Sequence, residues 1–184
     1  MIVELTKDKI VDVNKANHAF LLIGEIIPRY ENGTWSYLEK LFPEPKEKYY
    51  PDDDEDWELY IENPDKAIFL DYENGRCVGQ IILRRDWNHY AFIEDISVAA
   101  AFRGQGAGTE LMNRAVEWAK EKELDGLALE TQNNNLLACR FYKKFGMEIG
   151  GVNTMLYKNA PKPWCDEIAV FWYLKFDKKK QGEG

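Results

Sequence analysis

The clearest hydrophobic pattern lies between residues 67 and 98, where three apolar runs are separated by short turn sequences. The first two runs, Ala67–Tyr72 and Cys77–Arg84, flank Asn74-Gly75, a dipeptide typical of tight β-hairpin turns. Asp86-Trp87-Asn88 forms a second turn signal and leads into a third run, Ala91–Val98. The pattern predicts three successive antiparallel strands.

Two later segments show helical spacing of apolar residues. The first predicts a helix that starts near Thr109 and runs through Lys122. The second predicts a helix over Leu136–Phe145, with Asn135 at the N-cap and Gly146 just past the end.

Three further strands are expected around these helices, over Leu127–Thr131, Met147–Tyr157 and Glu167–Phe176. Together the elements predict an α+β (mixed α/β) fold, in which a mixed sheet is flanked by helices. The earlier runs Phe20–Arg29 and Trp35–Phe42 are separated by a turn at Glu31-Asn32-Gly33 and fit either strands or helices. Residues 43–65, with four prolines, are the part of the chain expected to hold least regular structure.

The chain of 184 residues is of a size for one domain, which we place at residues 1–176, followed by a polar tail at 177–184. Its net charge is −8, and six acids between Asp52 and Glu58 account for most of it. Because Lys178–Lys180 is the one basic cluster, we expect no nucleic-acid partner. We also expect no membrane span and, since the N-terminus has no signal-peptide pattern, a cytoplasmic location.

The three cysteines and two histidines show no metal-ligand spacing, so no metal site and no Ser-His-Asp triad are expected. The chemistry lies instead in a glycine-rich segment, Arg103–Gly108, between the strand that ends at Val98 and the helix that starts near Thr109. Glycines let a ligand approach the backbone closely, and a helix N-terminus attracts anions. This arrangement predicts a diphosphate cradle.

Two nucleotide-binding motifs fit that segment poorly. A dinucleotide fingerprint would place its third glycine where Thr109 stands, and it would follow a βαβ unit rather than hairpins, although Asp125 is a plausible distal acid. A phosphate-binding loop of the Gly-Lys-Ser/Thr type has no counterpart in the chain.

The pattern R-x-x-G-x-G in Arg103–Gly108 resembles the acetyl-CoA motif of the GNAT N-acetyltransferases. A second segment, Asn135–Met147, resembles that family's N-x-x-A-x-x-x-Y-x-x-x-G-F element, with Met147 in place of the usual phenylalanine. The resemblance implies a GNAT fold and acetyl-CoA as co-substrate. It extends over nearly the whole chain to the streptothricin acetyltransferases of Gram-positive bacteria, through the acidic run and through Ile23–Asn32, Tyr90–Val98, Leu129–Leu136 and Ala169–Leu174.

By this resemblance, backbone N–H groups of the glycine-rich segment hold the pyrophosphate, with added charge from Arg103, and the strand that ends at Val98 pairs with the pantetheine arm. Asn135 bonds the pantetheine amide, a role compatible with N-capping. The implied cofactor-binding residues are Ile96, Val98, Arg103, Gly104, Gln105, Gly106, Ala107, Gly108, Thr109 and Asn135.

Three residues are candidates for catalysis. The resemblance places Tyr142 near the CoA sulfur as a general acid, although a buried aromatic is the alternative. Glu94 shares strand parity with Ile96 and Val98, so it is the favoured base, whereas Asp95 points the other way unless a bulge intervenes. Either acid could instead anchor a cationic substrate.

The expected substrate is a small cationic amine, because the acidic run would raise its local concentration. The resemblance suggests an amine of streptothricin, on its β-lysine moiety, and so antibiotic resistance. Rivals are another amine (an aminoglycoside, a polyamine, a peptide or protein amine), a non-catalytic acyl-CoA sensor and a nicotinamide dehydrogenase. A homodimer stays open. The candidate substrate contacts are Tyr30, Trp35, Asp54, Glu55, Trp57 and Trp172. The alternative is that the acidic residues belong to a solvated loop and the aromatic residues to the core.

Overall fold

The computed structural model describes residues 1–52 and 55–177. Within these ranges the chain forms a seven-stranded sheet of order β1-β4-β5-β6-β7-β9-β8, a separate hairpin of β2 and β3, and two α-helices. The strands are β1 Ile2–Glu4, β2 Phe20–Glu31, β3 Thr34–Lys48, β4 Lys66–Glu73, β5 Arg76–Arg85, β6 Tyr90–Val98, β7 Gly126–Gln132, β8 Glu148–Asn153 and β9 Ala169–Lys175. The helices are α1 Ala107–Glu121 and α2 Leu136–Phe145. The predicted fold class, a mixed and mostly antiparallel sheet with flanking helices, is confirmed.

The β4-β5-β6 meander follows from its turns. Asn74 and Gly75 both have positive φ, 50° and 77°, as a two-residue hairpin turn requires. β6 and β7 are the parallel pair of the sheet, because α1 crosses over between them, and they pair only from Tyr90–Ile93 with Gly126–Leu129.

One face of the sheet carries α1 and α2. Their apolar sides pack on residues such as Phe69, Leu83 and Leu129 to form the main core. The ends of α2 are as predicted: the Asn135 side chain accepts a hydrogen bond from the N–H of Ala138, and Gly146 ends the helix with a φ of 101°. α1 begins at Ala107, two residues before the predicted start. The other face packs Ile68, Leu70 and Ile82 against the short 3₁₀ helix at Trp57–Tyr60 and the N-terminal segment.

The β2–β3 hairpin resolves the ambiguity of the early apolar runs, since both are strands. β2 packs on α2, and the backbone of Gly24 approaches Leu136 so closely that a side chain at Gly24 would collide with it. Two predicted strand ends are wrong. The strand predicted to end at Phe42 continues as β3 to Lys48, since Pro43 and Pro45 are tolerated in a hairpin strand with a free edge. The strand predicted to end at Tyr157 stops as β8 at Asn153, after which residues 154–157 turn away.

Neither α-helix in the described part of the chain is long and apolar enough to cross a membrane.

Candidate active site

The glycine-rich segment forms an open cradle in front of α1. Gly104 and Gly106 have φ values of 74° and 101°, a backbone conformation that favours glycine, and a Cβ at either position would meet nothing within 4 Å. Gly106 is the N-cap of α1, and no side chain caps the helix. The first-turn N–H groups of Ala107, Gly108 and Thr109 therefore face an approachable site with the positive end of the helix dipole, which fits a pyrophosphate.

The Arg103 side chain has a different position from the one expected. Its guanidinium donates to three backbone carbonyls, those of Val98 at 2.8 Å, Ala19 at 2.7 Å and His18 at 2.8 Å. The Nδ1 of His18 in turn accepts from the N–H of Ala100 at 3.2 Å. Arg103 thus binds the segment before β2 to the start of the glycine-rich segment, and its guanidinium does not point toward the cradle.

Beside the cradle, β6 and β7 separate beyond Ile93 and Leu129. The described strands give residues 94–98 of β6 no partner on that side, which leaves a free edge where an extended ligand could add as a strand. Ile96 and Val98 pack against the main core from this strand. Gly108 lies next to Val98 and Phe141, which places the cradle directly at the end of this edge.

A β-bulge at Glu94 changes the expected direction of the two acids. Asp95 pairs with Ile82 and Ile93 pairs with Leu83, so β6 contains one extra residue at Glu94. Parity with Ile96 is therefore broken. Ile96 packs toward the helices, whereas Glu94 and Asp95 both contact groups on the opposite face of the sheet. The predicted common face of Glu94, Ile96 and Val98 is wrong.

Glu94 lies in a web of charged and phenolic groups. Its Oε1 is 3.1 Å from Nε of Arg84, and its Oε2 accepts from the hydroxyl of Tyr60 at 2.9 Å. The same hydroxyl is 3.0 Å from Oε2 of Glu55. A phenol has one hydrogen, so it donates to one of these carboxylates at a time. The two acids converge on Tyr60, which holds Glu55 of the acidic run beside β6.

Asp95 and Tyr142 approach the gap between β6 and β7 from opposite faces. Asp95 accepts from Nε2 of Gln80 at 2.7 Å and from Oγ of Ser97 at 3.2 Å. Tyr142 is buried on α2, and burial, followed by the negative charge of Asp95, raises the pKa of its phenol. A raised pKa keeps the phenol protonated at neutral pH, the form that a general acid needs.

A polar cluster on β7 and the loops around it was not foreseen from the sequence. The hydroxyl of Tyr50 donates to Oε1 of Gln132, Nε2 of Gln132 donates to the Tyr157 hydroxyl at 2.9 Å, and that hydroxyl donates to Oε2 of Glu130 at 2.7 Å. Oε1 of Glu130 is buried and has no hydrogen-bond partner among the described residues. The available signal was a glutamate in the middle of the otherwise buried segment Leu127–Leu129 and Thr131.

A buried ion pair fixes the base of the hairpin beside this cluster. Nζ of Lys48 lies 2.5 Å from Oε1 of Glu167, and the side chains are only 9% and 6% exposed. The Nδ2 of Asn134 also donates to Glu167, at 3.0 Å. The last residues of β3 are therefore held at the carboxyl end of β7.

The predicted substrate contacts divide into three groups. Trp172 is completely buried between Tyr37 and Tyr142, so it belongs to the core and does not line an open site. Tyr30 and Trp35 pack against each other as a tilted pair at the hairpin tip, the end opposite to Lys48, and do not join the other candidates. Glu55 and Trp57 do lie near Glu94, both in contact with Tyr60, and Asp54 lies outside the described residues.

The sequence profile of the acetyltransferase (GNAT) family matches residues 32–147, well over half of the chain. The chain belongs to this family. The acetyltransferase is 49% identical to streptothricin acetyltransferase A of Bacillus subtilis (strain 168) over 176 residues, which cover 96% of this chain and 100% of that protein. It is also 37% identical to an Escherichia coli streptothricin acetyltransferase over 128 residues, covering 70% and 69% of the two chains.

A solved structure gives the same fold. It is that of a Bacillus anthracis str. Ames protein assigned as a streptothricin acetyltransferase, in complex with acetyl coenzyme A, and it superimposes with a TM-score of 0.88. The two sequences are 34% identical, with coverage of 96% of this acetyltransferase and 99% of that protein. The GNAT fold expected from the two motifs is confirmed.

Proposed function

We propose that this acetyltransferase transfers the acetyl group of acetyl-CoA to an amine of streptothricin, on the β-lysine moiety. The observation that carries the proposal is the 49% identity to the Bacillus subtilis streptothricin acetyltransferase, which extends over that protein's whole length. The similarity is therefore not confined to the two cofactor motifs.

The geometry of the cofactor side supports acetyl-CoA as the donor. The uncapped N-terminus of α1 and the two left-handed glycines, Gly104 and Gly106, suit a pyrophosphate. The free edge of β6 suits the amides of an extended pantetheine arm. When bound there, acetyl-CoA would supply the activated acyl group, and we propose that the Tyr142 phenol returns a proton to the departing sulfur.

The acceptor side supports a cation. Glu94, Asp95 and Glu130 all lie on the face of the sheet opposite the helices, and Tyr60 holds Glu55 beside them. An ammonium group gains from this negative potential on approach. Acetylation then removes one positive charge and so weakens the binding of the antibiotic to an anionic target, which accounts for resistance.

Assays of thiol release separate this proposal from its rivals. Purified enzyme with acetyl-CoA should release CoA rapidly with streptothricin, and far more slowly with kanamycin, spermidine or an alanyl peptide. If the enzyme acetylated one of those amines but not streptothricin, streptothricin would be rejected as the substrate. Unchanged turnover in both Asp95→Asn and Tyr142→Phe would reject the catalytic site.

We further propose that the enzyme works in the cytoplasm, where acetyl-CoA and the ribosome are both present. Cell fractionation with an activity assay on each fraction tests the location.

A further inference from the structure

Gln80 is a buried amide in the middle of the apolar strand β5. The residue is only 1% exposed, and its neighbours Ile81 and Ile82 are buried as well. A buried amide is costly unless its donors and its acceptor find partners, whereas an apolar side chain of the same length needs none. Among the described residues, the Gln80 side chain makes three hydrogen bonds, two with Asn14 and one with Asp95. Core packing alone therefore does not account for Gln80.

The backbone of Asn14 determines which way the Gln80 amide faces. The N–H of Asn14 can only donate, so the atom that it bonds at 2.7 Å is the carbonyl oxygen Oε1. The amide nitrogen Nε2 then directs one hydrogen to Oδ1 of Asn14 at 3.1 Å and the other to Oδ2 of Asp95 at 2.7 Å. A reversed amide would place a carbonyl oxygen against the carboxylate and an NH₂ group against the N–H of Asn14. Gln80 is therefore a donor to Asp95.

Asn14 suits this task through its own conformation. Its φ is 68°, a left-handed value that asparagine adopts more readily than most residues. It follows the 3₁₀ helix at Lys7–Asp12, and its carbonyl accepts from the N–H of Asn17 at 2.9 Å, so a turn fixes its backbone. The N-terminal segment thus holds the Gln80 amide in place.

Two neutral donors converge on one oxygen of Asp95. Gln80 and Ser97 are direct cross-strand neighbours on β5 and β6, so their side chains lie on the same face of the sheet. The Gln80 amide donates to Oδ2 at 2.7 Å, and the Ser97 hydroxyl donates to the same oxygen at 3.2 Å. Since neither donor carries a charge, the pair orients the carboxylate without cancelling its negative charge. Glu94 differs, because its Oε1 lies 3.1 Å from the guanidinium of Arg84.

Asp95 lies beside the place where the reacting nitrogen must arrive. It belongs to the part of β6 beyond Ile93, where the printed pairing with β7 ends. Its negative charge acts on the phenol of Tyr142 across this gap and, after burial, is the largest influence that raises the pKa of that phenol. The nitrogen that attacks the thioester has to approach the leaving sulfur, which the proposed function puts next to Tyr142. An ammonium group attracted by Asp95 is therefore drawn toward the point of reaction.

We propose that Gln80 is a positioning residue for the acceptor, because it holds Asp95 in the orientation in which the carboxylate binds the ammonium group of the substrate. This inference rests on the proposed function. Gln80 acts through Asp95 and does not touch the substrate. Without the Gln80 donor the carboxylate can rotate away from the gap, so binding of the acceptor weakens while the cofactor side is unaffected.

The first test replaces the donor by an apolar side chain of the same length. Gln80→Met keeps an unbranched shape but cannot donate to Asp95. We expect KM for streptothricin to rise about tenfold, the effect of one hydrogen bond to a charged group, and kcat to change by less than about threefold. KM for acetyl-CoA should stay the same, and thermal unfolding shows whether the variant is folded.

Ile68→Val is the matched control. Ile68 is a buried residue of β4 that packs in the same cluster as Ile82, on the face of the sheet that carries Asp95, and its shortening causes a small loss of core packing. Ile68→Val should lower the melting temperature and leave kcat and both KM values unchanged. A rise of KM for acetyl-CoA in Gln80→Met as large as that for streptothricin would show a general disturbance and would overturn the proposal.

A double-mutant cycle shows whether Gln80 acts through Asp95. Asp95→Asn removes the charge, so in that background Gln80→Met has no carboxylate to displace and should raise KM for streptothricin by less than about twofold. A Gln80 that merely ties the N-terminal segment to β5 would have the same effect in both backgrounds, which would contradict the proposed role.

Ser97 gives a second route to the same answer, since it is only partly buried and its replacement leaves the bonds between Gln80 and Asn14 intact. Ser97→Ala removes the longer of the two hydrogen bonds to Asp95 and should raise KM for streptothricin about threefold. Ser97→Thr keeps the hydroxyl and should restore the wild-type value. An equal loss in both variants would speak against donation to Asp95 as the cause.

A binding measurement gives a readout without turnover. In calorimetry, streptothricin should bind the enzyme–CoA complex about tenfold more weakly in Gln80→Met than in wild type. Wild-type KM and binding in Gln80→Met would overturn the role of Gln80. Turnover of another amine but not of streptothricin by the wild-type enzyme would overturn the proposed function alone, and that amine then replaces streptothricin in the comparison.

Discussion

Arg103 offers a direct way to distinguish a structural clip from a phosphate contact. Arg103→Met removes three hydrogen bonds, of 2.8, 2.7 and 2.8 Å, between the guanidinium and the carbonyls of Val98, Ala19 and His18. The side chain is exposed, so we take well under 1 kcal/mol for each bond and about 2 kcal/mol in total. For a domain of this size that corresponds to a Tm lower by about 4–8 °C.

The assay is thermal unfolding without ligand and with saturating acetyl-CoA, and Arg76→Met serves as the control because Arg76 is an exposed arginine at the β4–β5 turn. We expect the ligand-free Tm to fall in Arg103→Met and to stay constant in Arg76→Met. If Arg103 instead acts on the pyrophosphate, the ligand-free Tm will not change, and only the stabilisation by acetyl-CoA will shrink, in a salt-dependent way. That outcome would refute the clip.

Three more predictions follow from the geometry of the site. In Gly106→Ala an alanine must adopt the φ of 101° that glycine has here, which costs about 1–2 kcal/mol. Because this strain lies in the cradle, we expect KM for acetyl-CoA to rise about 5- to 30-fold in steady-state assays. Tyr142→Phe should lower kcat about 100-fold, and because burial raises the pKa of Tyr142, wild-type kcat should not fall with rising pH before about pH 10. Glu167→Gln leaves the buried charge of Lys48 without its partner, so the free energy of unfolding measured by urea titration should fall by about 3–5 kcal/mol. The double variant Glu167→Gln/Lys48→Met should recover part of that free energy, because it removes the unpaired charge.

The local signals in the sequence were sufficient for the elements around the cofactor. Asn74-Gly75 determines a hairpin through its own backbone geometry, and Asn135 and Gly146 mark the ends of α2. The cradle is likewise local, because Gly104 and Gly106 lie next to the helix they precede. Each of these features depends on residues close together in the chain.

The acceptor side depends on contacts that no local pattern encodes. The bulge at Glu94 is defined by the register of β6 on β5, and a single extra residue reverses the inferred direction of the side chains. The polar cluster on β7 is completed by Tyr157, which donates to Glu130, and by Tyr50, which donates to Gln132, and both tyrosines lie in segments without periodicity and far apart in the chain. The side chain of Arg103 depends on the path of residues 18 and 19, which is equally non-local.

The most direct test of the proposed function is mass spectrometry of streptothricin after incubation with purified enzyme and acetyl-CoA. We expect stoichiometric conversion to a product that carries one added acetyl group on the β-lysine moiety, with one CoA released per product and no product formed without acetyl-CoA. Unmodified streptothricin after many equivalents of enzyme, or an acetyl group attached outside an amine, would contradict it.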